Sequence, residues 1–315
     1  MKDLRIVFMG TPDFAVGILK KLVEANKNIV GVITAPDRPA GRGRKLKPSA
    51  VKEYALSQNL VVLQPTNLKN EDFLKQLQTL EANLQIVVAF RMLPKVVWAM
   101  PTYGTFNLHA SLLPQYRGAA PINWAIINQE TKTGVTTFFI DDKIDTGEVI
   151  LKSEISIDRN EDVGSLHDRL MKKGATLVLD TMALIEKGEA KPQPQKNTTY
   201  LKEAPKLTPE NTKIDWNKTA EEIDALIRGL SPYPVAWSTL YNNKEESKVK
   251  IYKASVQTEV HKKPIGSIFT TKKELKVAVK NGYILIEEMQ LPGKRNMEIS
   301  SLLNGYSFSE DAKLL

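Results

Sequence analysis

From Leu84 to Phe90 the chain runs Leu-Gln-Ile-Val-Val-Ala-Phe, apolar at all but one position. A strand with one wet face alternates apolar and polar side chains, whereas one that stays apolar is covered on both faces. Covering both faces takes helices, which a parallel sheet acquires through its crossover connections. The flanking segments supply those parts. Leu4 to Met9 reads as a buried strand closing on Gly10-Thr-Pro-Asp13, with a helix from Asp13 to about Ala25. Strands are predicted at Ile29 to Ile33, Val61 to Leu63, Thr105 to His109, Val135 to Ile140 and Val149 to Ile157. Helices are predicted at Val51 to Ser57, Glu71 to Leu80, Pro94 to Met100 and Ala119 to Asn128. Val163, Leu166, Leu170, Leu177, Val178, Met182 and Ile185 follow helical spacing over one long helix that also carries His167, read as structural or exposed. The alternation predicts an α/β, Rossmann-like domain with a mostly parallel sheet. The turn after the first strand lacks the spaced glycines of a dinucleotide site, which disfavours a nicotinamide enzyme.

In such a sheet ligands bind outside the carboxyl ends of the strands. The strand Thr105 to His109 ends on the most informative stretch of the chain, Thr105-Phe-Asn-Leu-His-Ala-Ser-Leu-Leu-Pro-Gln-Tyr-Arg-Gly-Ala-Ala-Pro121. Strand periodicity of two places Asn107 and His109 on one face. Pro114 and Gly118 break regular structure, and Pro121 suits the first position of a helix. His109 is one of only three histidines. A second turn, Asp145-Thr-Gly147, follows another apolar strand and offers a carboxylate to orient the imidazole. Asp141 and Asp142 precede it. Adjacent carboxylates point apart and ordinarily solvate a turn, so no metal site is expected there.

The chain has no cysteine, which excludes disulfides, thiolate nucleophiles and sulfur-ligated zinc and suits a reducing, cytoplasmic setting. Its net charge of +8 favours an acidic partner, although lysine-rich solvation gives the same balance. The start, Met-Lys-Asp-Leu-Arg, shows no signal peptide, and no apolar run reaches a membrane span. The charge is concentrated in one place. Between Arg38 and Lys52 lie six basic residues, Arg38, Arg42, Arg44, Lys45, Lys47 and Lys52, and no acidic one. Prolines and glycines there predict a loop with neither helix nor strand. Such a loop either folds over a phosphate backbone or hangs free at the surface.

Gly188 to Lys206 is rich in proline, glutamine and lysine with no apolar period, and reads as a linker. Beyond it a helix at Ala220 to Gly229 ends at Ser-Pro-Tyr-Pro234. Five short strands follow, at Val235 to Tyr241, Val249 to Val256, Ile265 to Phe269, Leu275 to Val279 and Tyr283 to Gln290. Short strands with turn signals between them predict a small barrel. From Lys206 onward the chain holds 17 Lys+Arg against 14 Asp+Glu, so this part is only mildly basic. Lys244, Lys248, Lys250, Lys253, Lys262 and Lys263 are RNA contacts or a solvated face.

Asn107-Leu-His109, Ser111-Leu-Leu-Pro114, Arg117-Gly-Ala-Ala-Pro121 and Asp145-Thr-Gly147, in that order, resemble the signature of the folate-dependent formyltransferases. The resemblance extends over nearly the whole chain. It implies a catalytic domain at residues 1–188, a linker at 189–206 and an OB-like, tRNA-binding barrel at 207–315. Its catalytic set is Asn107, His109 and Asp145, with no metal. Ser111, Leu112, Leu113 and Pro114 would bind the formyl donor, 10-formyltetrahydrofolate. In the tRNA-acting members a basic insertion contacts the tRNA acceptor end, which assigns that role to Arg38, Arg42, Arg44, Lys45 and Lys47. The implied partner is initiator methionyl-tRNA, and a monomer is expected. The chain departs from the family's usual Tyr-Gly at Phe90-Arg91, which places an added charge by the expected folate pocket. The competing classes are a formyltransferase for small amines, which generally lacks the basic loop, an RNA-binding module without catalysis, and a formyl-folate hydrolase or dehydrogenase.

Overall fold

The computed structural model describes residues 2–40, 45–196 and 200–315. The chain forms two compact units. The first takes Met1–Gly118, Thr133–Ile155 and His167–Glu203, and the second Ala119–Lys132, Ser156–Leu166 and Ala204–Leu315.

The first unit is built on a seven-stranded sheet. Its order is Val149–Ser156, Lys132–Phe139, Thr105–His109, Leu84–Val88, Ile6–Gly10, Ile29–Ile33 and Val62–Leu63. From Thr105–His109 to Val62–Leu63 every pairing is parallel, while Lys132–Phe139 runs antiparallel to Thr105–His109. Ile6–Gly10 and Leu84–Val88 are buried at every position, the double coverage that the apolar run demanded. The run leaves the sheet two residues before Phe90, because Ala89 turns into the left-handed region at φ 47°.

Helix ends follow their capping chemistry. Ser49 accepts a hydrogen bond from the Lys52 amide at the start of Ala50–Ser57, and Asn70 from the Phe73 amide at the start of Glu71–Thr79. Helix Asp13–Glu24 buries Ile18, Leu19 and Leu22. The long helix Val163–Lys187 lies close against the strand that carries the candidate site. A Cβ on Gly174 would sit 2.7 Å from Leu108 Cδ2, so a larger residue would push helix and strand apart. The Thr181 hydroxyl meets that of Thr137 at 2.7 Å in the neighbouring strand.

Two stretches differ from their sequence expectations. The basic loop is a two-stranded ribbon, Arg38–Ala40 against Lys45–Lys47, with Pro39 opposite Leu46. In a two-stranded ribbon both strands are edges, so proline's missing N–H costs no ladder bond and its presence does not exclude strand. Within the stretch expected to be a linker, Gln193 and Lys202 are hydrogen-bonded to strand and turn residues of the first unit. Gln193 and Val149 exchange both backbone hydrogen bonds at 2.8 Å, and the Tyr116 amide donates to Lys202 O at 2.6 Å.

The second unit is an antiparallel barrel. Its strands run Ile268–Thr270, Leu275–Val279, Gly282–Gln290, Glu245–Thr258, Ala236–Asn242 and Lys313–Leu314. A bridge between Ser267 and Lys313, with Leu314 N–H donating to Gly266 O at 2.9 Å, brings the last strand back to the first. Closure removes the free edges that would otherwise pair with another chain. Glu245–Thr258 breaks register between Ile251 and Ala254, a local bend of the kind that lets one long strand wrap a small barrel. Helix Ala220–Leu230 opens with a capping box of Thr219 and Glu222. Its Ile223, Ile227 and Leu230 join Val249, Ile251, Val277, Ile284 and Met289 in the core.

Candidate active site

The central strand Thr105–His109 has neighbours on both sides, with Asn107 opposite Val87 on one and Phe138 on the other. Pairing on both edges fixes the strand's register and hence the aim of its side chains. His109 is the last residue of the strand and is 6% exposed. Its Nε2 lies 2.7 Å from Tyr116 O. A carbonyl only accepts, so Nε2 carries the hydrogen and donates. Its Nδ1 faces Asp145 Oδ2 at 3.7 Å, within ion-pair range and beyond hydrogen-bond reach.

Three features define the Asp145 turn. Asp145 has a left-handed backbone at φ 54°, an arrangement that costs a non-glycine residue about 1–3 kcal/mol and persists where neighbours enforce it. Its Oδ2 accepts the Gly118 amide at 2.9 Å. Gly147 two residues on admits no side chain, since a Cβ would lie 1.7 Å from Phe139 O. The turn is thereby pressed against the strand that neighbours Asn107 and His109. Asp141 closes the same loop, accepting from the Lys143 amide at 2.9 Å and the Thr146 hydroxyl at 2.7 Å.

Asn107 differs from its neighbours in being uncommitted. Among the described residues its side chain makes no hydrogen bond, and its Oδ1 is buried without a partner. An unsatisfied buried acceptor costs about 1–3 kcal/mol, and native proteins keep few of them. An amide in this state, on the same strand face as the buried His109 imidazole, is equipped to meet a ligand's donor with its oxygen and a ligand's acceptor with its nitrogen.

The loop Ser111–Pro114 is held from inside. Thr136, opposite His109 in the ladder, donates its hydroxyl to Ser111 O at 2.6 Å and accepts the Leu113 amide at 3.2 Å. Ser111 Oγ donates to Gln115 O at 2.7 Å, and Lys152 Nζ donates to Leu113 O. Burial, and then Lys196, lower the Lys152 pKa. Ser111 and Leu113 are buried and these bonds are internal, so both shape the loop; Leu112 and Pro114 keep part of their surface exposed.

The basic ribbon carries Arg38 directly opposite Lys47, both exposed. Like charges facing each other across a ladder destabilise it, and an anion between them reverses the sign. Arg42 and Arg44 lie outside the described residues, and Lys45 is described in its backbone alone. Lys52, counted among the six cations, is taken up by Asp37, whose Oδ2 lies 2.7 Å from its Nζ. Gln64 binds both Asp37 Oδ1 and Ala35 O at 2.8 Å, so the ribbon's base is fixed. Arg91 serves the same region. It donates to the carbonyls of Pro65 and Thr66, and its pKa is lowered by burial and then by Arg38. Among the barrel lysines, Lys253 pairs with Glu287 at 3.1 Å, which raises its pKa, and Lys248 stands 3.9 Å over the Trp237 ring.

Two contributors have no sequence signal. The Tyr116 carbonyl is a backbone atom in a left-handed turn, at φ 61°. Gln195 lies in the stretch taken as a linker, and its Nε2 is 2.9 Å from both Asp145 O and Gly147 O.

Residues 4–182 match the formyl transferase family and residues 206–307 the formyl transferase C-terminal domain. The chain is 62% identical to the methionyl-tRNA formyltransferase of Flavobacterium johnsoniae, covering 100% of both chains, and 60% identical to that of Flavobacterium psychrophilum over 99% of both. In fold it is similar to the crystal structure of HypX from Aquifex aeolicus in complex with tetrahydrofolic acid. That match has TM-score 0.66 and 18% identity and spans 96% of this chain but 47% of that longer one. The parallel sheet, the antiparallel barrel and identity above half along the full chain lead to one conclusion: the chain belongs to the methionyl-tRNA formyltransferases, a family of one-carbon transferases.

Proposed function

We propose that this enzyme moves the formyl group of 10-formyltetrahydrofolate to the free amino group of methionyl initiator tRNA, with Asn107, His109 and Asp145 as its reacting set. The observation that carries the reading is the buried, unpartnered Asn107 Oδ1, on the strand face that it shares with His109, whose imidazole in turn faces Asp145. The choice of acceptor rests on the full-length identity to methionyl-tRNA formyltransferases.

The amine lone pair attacks the formyl carbon, and the carbonyl π pair moves onto oxygen. Asn107 Nδ2 donates to that oxygen, a contribution of roughly 10²–10³ in rate for one well-placed donor. His109 is the second donor. In the resting site its Nε2–H is spent on Tyr116 O, so substrate competes with that carbonyl; such bonds commonly tighten only in the reacting complex. Asp145 orients the ring and balances its charge when it holds both protons. As the new carbon–nitrogen bond forms, the amine sheds a proton. Asp145 and His109 pass it on to the folate nitrogen, which leaves with the electron pair of the broken bond. The product is a formamide and free tetrahydrofolate, and no covalent enzyme intermediate is needed.

The partly exposed Leu112 and Pro114 suit a flat heterocycle, and the orphaned Asn107 oxygen suits a donor on it. Exposed Arg38 and Lys47 suit a phosphate backbone. The assay mixes purified protein and 10-formyltetrahydrofolate with methionyl initiator tRNA or with a small amine such as an amino-sugar nucleotide. Formylation of the tRNA alone is expected. Formylation of the small amine in preference would replace the acceptor assignment, and formylation of neither would remove the reading.

A further inference from the structure

Gln195 holds a position out of keeping with its surroundings in sequence. It sits among prolines, glutamines and lysines, yet every hydrogen-bonding group of its side chain is used. Its Nε2 has two hydrogens and two acceptors, Asp145 O and Gly147 O, each at 2.9 Å. Its Oε1 takes two bonds from Arg117, from Nε at 3.2 Å and Nη2 at 2.6 Å. The residue next to Arg117, Gly118, donates its amide to Asp145 Oδ2. The Asp145 turn is therefore gripped at its carboxylate by Gly118 and at its backbone by Gln195, with Arg117 anchoring Gln195 in turn.

We propose that Gln195 is a positioning residue for the Asp145 carboxylate. The reason is conformational. Asp145 is in the left-handed region, which aspartate enters more readily than most side chains but at a cost that neighbouring bonds offset. The direction of its carbonyl fixes ψ, and with φ this fixes where its Cβ points, while the Gly118 amide on Oδ2 selects the rotamer of the carboxylate. A bond to the Asp145 carbonyl is thus a constraint on the separation of Oδ2 and His109 Nδ1, 3.7 Å in the resting site. The second bond, to Gly147 O, spans the turn and stops it from opening. Arg117 then acts on the site through Gln195.

The inference rests on the catalytic role proposed for Asp145, and the test separates the two. Gln195→Met keeps the length of the side chain and removes its hydrogen bonds. Gln195→Glu keeps the acceptor for Arg117 and loses the donor, setting a carboxylate against two carbonyls. Both are measured for kcat, for KM of each substrate, and for thermal midpoint, in the wild-type and Asp145→Asn backgrounds. A displacement near 1 Å at a reacting group is worth about 10²-fold in rate. Expected are losses of about 10- to 100-fold in kcat for both variants, KM values within about twofold, and no further loss when Asp145 is already Asn. Wild-type kcat in either variant, a loss confined to KM, or losses that multiply in the Asp145→Asn background would overturn the assignment of Gln195 while leaving Asp145 in place. Wild-type turnover of Asp145→Asn itself would take away the role of the carboxylate, and the assignment with it.

Discussion

Replacing Asn107 with leucine should make the resting protein more stable and the enzyme slower. Leucine keeps the branched outline of asparagine and carries no polar atom. Asn107 Oδ1 is buried without a partner, a condition worth about 1–3 kcal/mol against the folded state. Leucine removes that cost, and its slightly larger methyl groups take some of the gain back, about 1 kcal/mol for modest overpacking. The balance is a stabilisation of about 1 kcal/mol, or a rise of roughly 2–4 °C in the melting midpoint for a unit of this size. Turnover moves the other way. Losing one donor aimed at the developing oxygen costs roughly 10²–10³ in kcat, about 2.7–4 kcal/mol. Scanning calorimetry without substrates gives the first quantity, and single-turnover formylation of methionyl-tRNA gives the second. A purely structural asparagine would show the opposite pair, a lower midpoint with turnover kept. That result would refute the reasoning, as would a stable variant with wild-type turnover.

Three further outcomes follow from the same geometry. Asp145→Asn preserves size and removes the charge facing His109; turnover should fall roughly 10²–10⁴-fold, with tRNA affinity by filter binding unchanged. Alanine at both Arg38 and Lys47 should weaken tRNA binding and flatten the plot of log affinity against log salt by about one unit per cation removed, measured by titration across salt concentrations. The third concerns the ribbon's anchor. The Gln64 amide and then the Lys52 ammonium hold the Asp37 carboxyl below its ordinary value. With the folded-state value below the unfolded one, the anchor's contribution is complete above the unfolded value and fades as pH falls through the depressed one. In Lys52→Met, an NMR titration should find the Asp37 carboxyl closer to its ordinary value; an unchanged titration would detach Lys52 from the anchor.

The parts of this molecule legible in sequence are those whose cause is local or periodic. The apolar run at Leu84 announced a strand covered on both faces, and period two placed Asn107 and His109 on one side of the next strand. Proline and glycine were good guides to where regular structure stops, and poor ones at Arg38–Ala40, where an edge strand tolerates Pro39. The closing strand Lys313–Leu314 is two residues long, too short to carry a period. What sequence cannot show is a partner whose identity does not matter. The Tyr116 carbonyl belongs to any residue that adopts that turn. Gln195 reaches backbone oxygens that no motif encodes, from a stretch with no apolar pattern. Lys52 counts among the six cations of the basic stretch, but nothing in sequence shows that its charge is spent on Asp37 at 2.7 Å.

The central claim is that an amide, an imidazole and a carboxylate act together on one formyl carbon. Its most direct measurement is the single-turnover rate of formyl transfer to methionyl initiator tRNA by His109→Ala, set beside wild type, with tRNA affinity determined on the same samples. The account predicts a rate lower by roughly 10²–10³-fold with affinity within about twofold. A His109→Ala enzyme that formylates at the wild-type rate, or one that loses only its grip on tRNA, would contradict it.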